Sequence, residues 1–286
     1  MSLLFAPGFF SNGPVHGALA VGGISALVCG VVGTFTVLRG QSYSGHALAD
    51  LSVTGGSASF LANISPLWGF AGFGVLAAAV MDLIGARQPR GRDLATGIVR
   101  AAGLGLAALF LYWAATSSTT SGTTISVLFG SMFTIGNGVV GLVIAFGLPA
   151  LVIIAVLYRP LLLSSVSPEL AAARGVSVRL TGLACLVAIA LAVSLAAITV
   201  GAILSTALLI GPAAIALRLT RSPGRAIALA AVTGIAATWI GIVLAYDSVN
   251  WPPSHTNWPI SFFIVALIFV AFLIVQLTGR GRQARS

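Results

Sequence analysis

Charge is almost absent from this chain except between its apolar runs, and that constraint decides most of what it can fold into. Only 7% of its 286 residues are charged, whereas soluble domains carry roughly one quarter. So few polar side chains cannot solvate a globular surface, and with a mean hydropathy of +1.08 the natural solvent is lipid. A bilayer core needs about 20 apolar residues per helix. The length therefore supplies eight to ten spans with short loops and leaves no room for a separate soluble domain. The expected fold is an all-α polytopic membrane protein, a single transmembrane domain over residues 1–286.

Nine apolar runs are visible: about Val15–Leu38, His46–Ile64, Leu67–Ile84, Ile98–Ala115, Gly136–Tyr158, Leu180–Ile198, Val200–Leu217, Ala226–Tyr246 and Ile260–Leu277. The basic residues test that count. The net charge of +9 rests on arginine alone, and the arginines fall in alternate intervals: Arg39; Arg87, Arg90 and Arg92, with Arg100 opening the fourth span; Arg159, Arg174 and Arg179; Arg218, Arg221 and Arg225; Arg280, Arg282 and Arg285. Nine spans with the N-terminus outside and the C-terminus in the cytoplasm put every arginine on the cytoplasmic side, as the positive-inside rule requires. Basic intervals between lipid-length runs suit anionic headgroups rather than nucleic acid. No basic leader precedes the first span, which is expected to act as an uncleaved insertion signal in a bacterial inner membrane. Cys29 and Cys185 lie inside apolar runs and behave as small hydrophobes.

Three places resist this simple division. Nothing polar separates spans six and seven at Thr199–Gly201, which reads as a tight turn or a broken helix packed inside protein. Ser117–Gly122 reads as an outside loop. Ile125–Phe133 is apolar but too short to span, and suits a re-entrant or interfacial segment. The 34 glycines, among them Gly30, Gly33, Gly55 and Gly56, fit a bundle held by close backbone approach.

The longest polar interval, Arg159–Arg179, contains its own helix signals. Ser167 can cap free amides, Pro168 suits the first helical position, and Glu169 complements the positive end of the dipole. Arg174 suits the other end, and Gly175 the left-handed residue beyond it. Pro168–Arg174 should form a helix of about seven residues, too short to persist alone in water. It docks either on its own bundle or on a cytoplasmic partner.

The second span carries His46 and Asp50, whose i, i+4 spacing puts both on one face. Ionisable groups in lipid are expensive and mark sites or pathways. Imidazole with carboxylate suits Zn²⁺ or Mn²⁺. Two ligands are too few for a structural zinc site, but sparse coordination fits an ion that must be released. The bland alternative is a self-satisfying His–Asp pair. With the span starting near Ser44, Asp50 should lie about 9 Å along the axis, in the cytoplasmic third.

Three segments together resemble the ABC-3 family of zinc and manganese permeases. The first is Arg39–Leu61, RGQSYSGHALADLSVTGGSASFL; the second is Leu128-Phe129-Gly130; the third lies within Gly175–Arg218 and includes the run from Val200, VGAILSTALLIGPAAIALR. In the family an Asp precedes a His by four residues; here His46 holds the Asp position and Asp50 the His position. The resemblance implies a homodimer or pseudo-dimer of such subunits, two cytoplasmic ATPase subunits and an extracytoplasmic metal-binding lipoprotein. It also implies that Pro168–Gly175, with Glu169 and Ala172, is the coupling helix entering the ATPase. The chain has no lysine and hence no phosphate-binding Gly-Lys-Ser/Thr loop. It is expected to be non-catalytic and to bind no cofactor of its own, with Zn²⁺ or Mn²⁺ as cargo.

Other readings account for less. A gradient-driven secondary metal transporter explains the His–Asp pair as a proton relay but not the cytoplasmic helix. A cobalamin- or siderophore-type permease shares the ATPase and differs in cargo. An intramembrane metalloprotease needs a His-Glu-x-x-His motif that is absent.

The topology is directly testable. Single cysteines placed at Ser254 and Ser222 should react with an impermeant thiol reagent from opposite faces, Ser254 from outside and Ser222 from inside. Labelling of both from one side sinks the nine-span arrangement.

Overall fold

A computed structural model describes residues 13–62, 64–87, 92–117, 128–130, 138–202, 204–248 and 258–283. Among them the chain forms helices and no strand. The helices are α1 (Gly13–Leu38), α2 (Ser42–Leu61), α3 (Pro66–Arg87), α4 (Arg92–Ser117), α5 (Gly138–Val156), α6 (Tyr158–Val166), α7 (Pro168–Ala173), α8 (Val178–Thr199), α9 (Ser205–Leu219), α10 (Pro223–Asp247) and α11 (Ile260–Gln283). Each of the nine apolar runs contains a helix among its described residues.

Seven of these helices are long and apolar enough to cross a membrane. The other two are α2 and α9. Helix α2 is long enough but carries seven Ser, Thr and His positions besides Asp50. It tolerates them because Ser52, Thr54 and Ser57 are buried and the two hydroxyls at 52 and 57 bond to carbonyls of their own helix. Thr54 reaches across to the Gly103 carbonyl of α4 at 2.8 Å. Helix α9 has only 15 residues, because the chain between it and α8 is not helical.

That break answers the ambiguity at Thr199–Gly201. Helix α8 stops at Thr199, and Gly201 turns the chain at φ 92°. Leu128-Phe129-Gly130 packs its backbone straight onto this turn: a Cβ on Gly130 would sit 2.6 Å from the Thr199 carbonyl and 2.9 Å from the Gly201 nitrogen. Gly130 is itself at φ 81°. Two left-handed glycines thus let the end of a short helical segment at Leu128-Phe129 touch the break after α8 backbone to backbone. The segments are the second and third that carry the family resemblance. The loop beyond Ser117, the rest of Ile125–Phe133, and Arg90, Ser254, His255 and Arg285 lie outside the described residues.

Helices α1 and α8 form the centre, with 67% and 72% of their spanning windows buried; α4, α5 and α11 line the outside at 17%, 22% and 22%. Helix α1 packs most extensively against α10 and also against α9, α8 and α5; α2 packs against α3, α4 and α8. Small residues make these contacts possible. A Cβ on Gly33 would collide with the Leu209 carbonyl of α9, and one on Gly55 with the Gly69 carbonyl of α3. Cys29 and Cys185 are buried and unpaired, as expected.

Helix α4 begins at Arg92, and its apolar window, Thr96–Trp113, opens within two residues of the expected start at Ile98. Arg100 stands in the first turns of that window, where an acid of the neighbouring helix meets it.

These contacts predict a sharp contrast. Gly33→Val and Gly55→Val should each destabilise the solubilised protein by about 3 kcal/mol, the upper end of overpacking costs. Gly72→Ala and Gly141→Ala, where an added Cβ would meet nothing within 4 Å, should be neutral. Thermal unfolding in detergent distinguishes the two classes.

Candidate functional site

The face of α2 that carries His46 and Asp50 looks toward α4 and α9. His46 Nε2 lies 3.9 Å from Asp50 Oδ2, so the shared face read from the spacing is realised. Thr206, at the start of α9, places its hydroxyl 3.3 Å from His46 Nδ1. With the proton on Nδ1 and Thr206 accepting it, Nε2 keeps its lone pair and faces the carboxylate. Metal–ligand bonds of about 2 Å each reach across such a gap.

Depth favours a site within the bundle. Helix α2 starts at Ser42, which puts Asp50 about 12 Å along the axis at 1.5 Å per residue. A Cβ on Gly74 would touch Ser52, Ala190 and Ser194, so Ser52 is level with the middle of α8. Asp50 lies half a turn before Ser52 on the same helix, beside Arg100 in the first turns of the apolar window of α4. The side chains remain reachable: His46 is 38% exposed and Asp50 15%.

Asp50 is not alone. Arg100 Nε of α4 donates to Asp50 Oδ2, and the Tyr43 hydroxyl lies beside the same guanidinium. Arg100 continues a stripe of α4 that includes Gly103 and Ala107, both set against α2. Sequence reasoning missed both Arg100 and Thr206. The signal for Arg100 was present: it is an arginine three and seven residues before small residues, on a helix beside one that carries an unpaired acid. For Thr206 no signal distinguishes it from a packing threonine.

Among the described residues, no three or more His, Cys, Asp or Glu side chains converge as metal ligands. Among the described residues the site therefore offers one imidazole, one carboxylate and one hydroxyl. Asp82 of α3 is committed elsewhere: Arg179 Nε bonds to it at 3.2 Å, tying α3 to α8 near their arginine-rich ends.

The short helix reads as expected. Helix α7 runs from Pro168 to Ala173, the Ser167 side chain accepts from the Leu170 amide at 3.3 Å, and Gly175 follows at φ 77°. Of its six residues only Ala171 is buried; Pro168, Glu169, Leu170, Ala172 and Ala173 face outward, as do Arg174 and Gly175. Next to it, Val166 at the end of α6 is 86% exposed. The helix thus presents a mixed apolar and charged face instead of lying on its own bundle. Helix α6 is fixed in turn by Arg39, whose Nη1 donates to the Ser164 hydroxyl at 2.6 Å, just before Gly40 (φ 65°) leads into α2.

Comparison with known proteins agrees with this arrangement. The model of the ABC 3 transport family matches residues 14–277. A manganese transport system membrane protein, MntC of Listeria innocua, is 30% identical over 244 residues, covering 85% of this chain and 86% of the relative. A manganese import system permease protein, ScaB of Streptococcus parasanguinis, is 33% identical over 230 residues, covering 80% and 79%. Among solved structures, PsaBC from Streptococcus pneumoniae in complex with Fab superposes with a TM-score of 0.81 at 27% identity, over 94% of this chain and 92% of that one.

Proposed function

Because this chain belongs to the ABC 3 transport family, we propose that it is the permease through which manganese enters the cell, His46 and Asp50 being the side chains that meet the ion. That it is a membrane-spanning permease of an ABC importer for divalent metal follows from the family and its relatives; family membership sets aside the gradient-driven alternative. Manganese is the cargo named for the relatives, and the donors present suit it. A carboxylate offsets the charge of a partly dehydrated cation, while a single imidazole favours a transition metal over Mg²⁺ and Ca²⁺. Zn²⁺ has the same ligand preference, and Mn²⁺ is favoured by the relatives.

The observation that carries the reading is the placement of the pair. Two side chains of metal-ligating type face one another across 3.9 Å within the bundle, on a helix whose other near neighbours are apolar, hydroxylic or, at Arg100, cationic. Sparse coordination gives weak binding, which a conduit needs if the ion is to leave.

Energy comes from outside the chain. We read α7, with Pro168, Glu169, Ala172 and Gly175, as the coupling helix that docks on a cytoplasmic ATPase subunit. Its exposed Leu170 and the neighbouring Val166 supply the apolar contact, and Glu169 and Arg174 the polar rim. A second copy of this chain, a second ATPase and an extracytoplasmic metal-binding protein complete the proposed assembly.

Two measurements test this. Radioactive Mn²⁺ uptake should fall by about 10- to 100-fold in His46→Ala and Asp50→Ala with the protein still in the membrane; normal uptake by the double variant defeats the assignment. Glu169→Arg or Ala172→Trp should reduce transport-stimulated ATP hydrolysis by about tenfold at normal expression. Unchanged hydrolysis in both variants refutes docking through α7.

A further inference from the structure

We infer that Arg100 is a tethered stand-in for the cargo: it occupies the cation's place on Asp50 when the path is empty and must be displaced for the metal to bind. The inference rests on the reading of Asp50 as a metal contact. Three observations carry it. First, Arg100 Nε donates to Oδ2, the same Asp50 oxygen that faces His46 Nε2. A cation shared between His46 and Asp50 at that oxygen would stand directly beside the guanidinium, so the two like charges oppose each other there. Second, the carboxylate is only 15% exposed and Arg100 only 28%, so the pair is partly desolvated and its attraction is stronger than that of a surface pair. Third, an alternative perch exists. The Tyr43 hydroxyl, two turns below Asp50 on the same helix, already touches the guanidinium, and Arg100 can swing toward it without leaving α4.

The charge arithmetic explains what such a residue does. The empty site is neutral, with Asp50 at −1 and Arg100 at +1. A divalent ion entering beside both would leave +2 in a poorly solvated place, so the ion's attraction for Asp50 is opposed by repulsion from Arg100. That repulsion weakens binding and speeds release. It also prevents the vacated carboxylate from retaining the ion or standing unpaired in the membrane while the carrier resets. A monovalent cation, with half the charge, competes far less well with a guanidinium already in place. Arg100 therefore helps to set both turnover and valence selectivity, and α4, packed mainly on α2, holds it there.

The test uses the purified full-length chain in lipid nanodiscs, with equilibrium binding of Mn²⁺ as probe and uptake in cells alongside. Arg100→Gln should raise Mn²⁺ affinity by about tenfold, the loss of one nearby opposing charge, while maximal uptake falls because release slows. Arg100→Lys, which keeps the charge but loses the planar fork, should bind Mn²⁺ between the wild type and Arg100→Gln. In an Asp50→Asn background, Arg100→Gln should give no gain. Unchanged or weaker Mn²⁺ affinity in both Arg100 variants, with Asp50→Asn losing binding, would make Arg100 a structural brace and overturn the proposal. An equal gain with and without Asp50 would also overturn it, by showing a general field effect. Should Arg100→Gln fail to fold, Arg100→Lys decides alone, affinity at or below wild type counting against the proposal. Wild-type binding by Asp50→Asn instead removes Asp50 as a ligand and fails the functional reading itself.

Discussion

Close approach of backbones is the condition on which this structure depends. Lipid tails are as apolar as leucine, so helices in a bilayer gain little by hiding apolar side chains from one another. What holds them is contact distance. Gly33 against the Leu209 carbonyl and Gly55 against the Gly69 carbonyl bring α1 to α9 and α2 to α3 nearer than any side chain permits. Because α2 is clasped this tightly, its Ser, Thr, His and Asp side chains are sheltered by protein, and a helix too polar to face lipid can carry the site.

Electrostatics adds a second layer. The bundle holds few charges, and two of its acids are matched to arginines: Asp82 to Arg179, Asp50 to Arg100. The first pair lies near the arginine-rich end and braces two helices. The second lies beside the imidazole, where, on the proposed reading, a fixed brace would obstruct the ion, so that similar chemistry would serve two ends.

Much of this was legible in the sequence, for reasons that also explain what was not. The helical membrane fold, with seven helices of spanning length among the described residues, was readable because apolar length is dictated by the bilayer. The short helix at Pro168 was readable because capping is local: Ser167, Pro168 and Gly175 carry their meaning within ten residues. The His46–Asp50 face followed from helical periodicity alone. Arg100 did not, because its role depends on a partner fifty residues away, and by charge rules it reads as one more loop arginine. The break after Thr199 was only half visible. Gly201 hints at a turn, but the contact that stabilises it comes from Gly130, seventy residues earlier.

The packing of the helices also divides the molecule. Helices α2, α3 and α4 form one group, α1, α9, α10 and α11 another, and α8 touches both. The site straddles the seam between them. Arg100 and Asp50 belong to the same group, so their bond travels unbroken if one group rocks against the other. His46 and Thr206 belong to opposite groups, and their 3.3 Å contact is the one that such rocking pulls apart. On the proposed reading the two halves of one small site would thus respond to different events: the arrival of an ion would disturb the first contact, and movement of the protein the second. An imidazole that lost Thr206 would also lose the partner that fixes which nitrogen faces Asp50, so a stroke that opened the seam would loosen the grip on the ion.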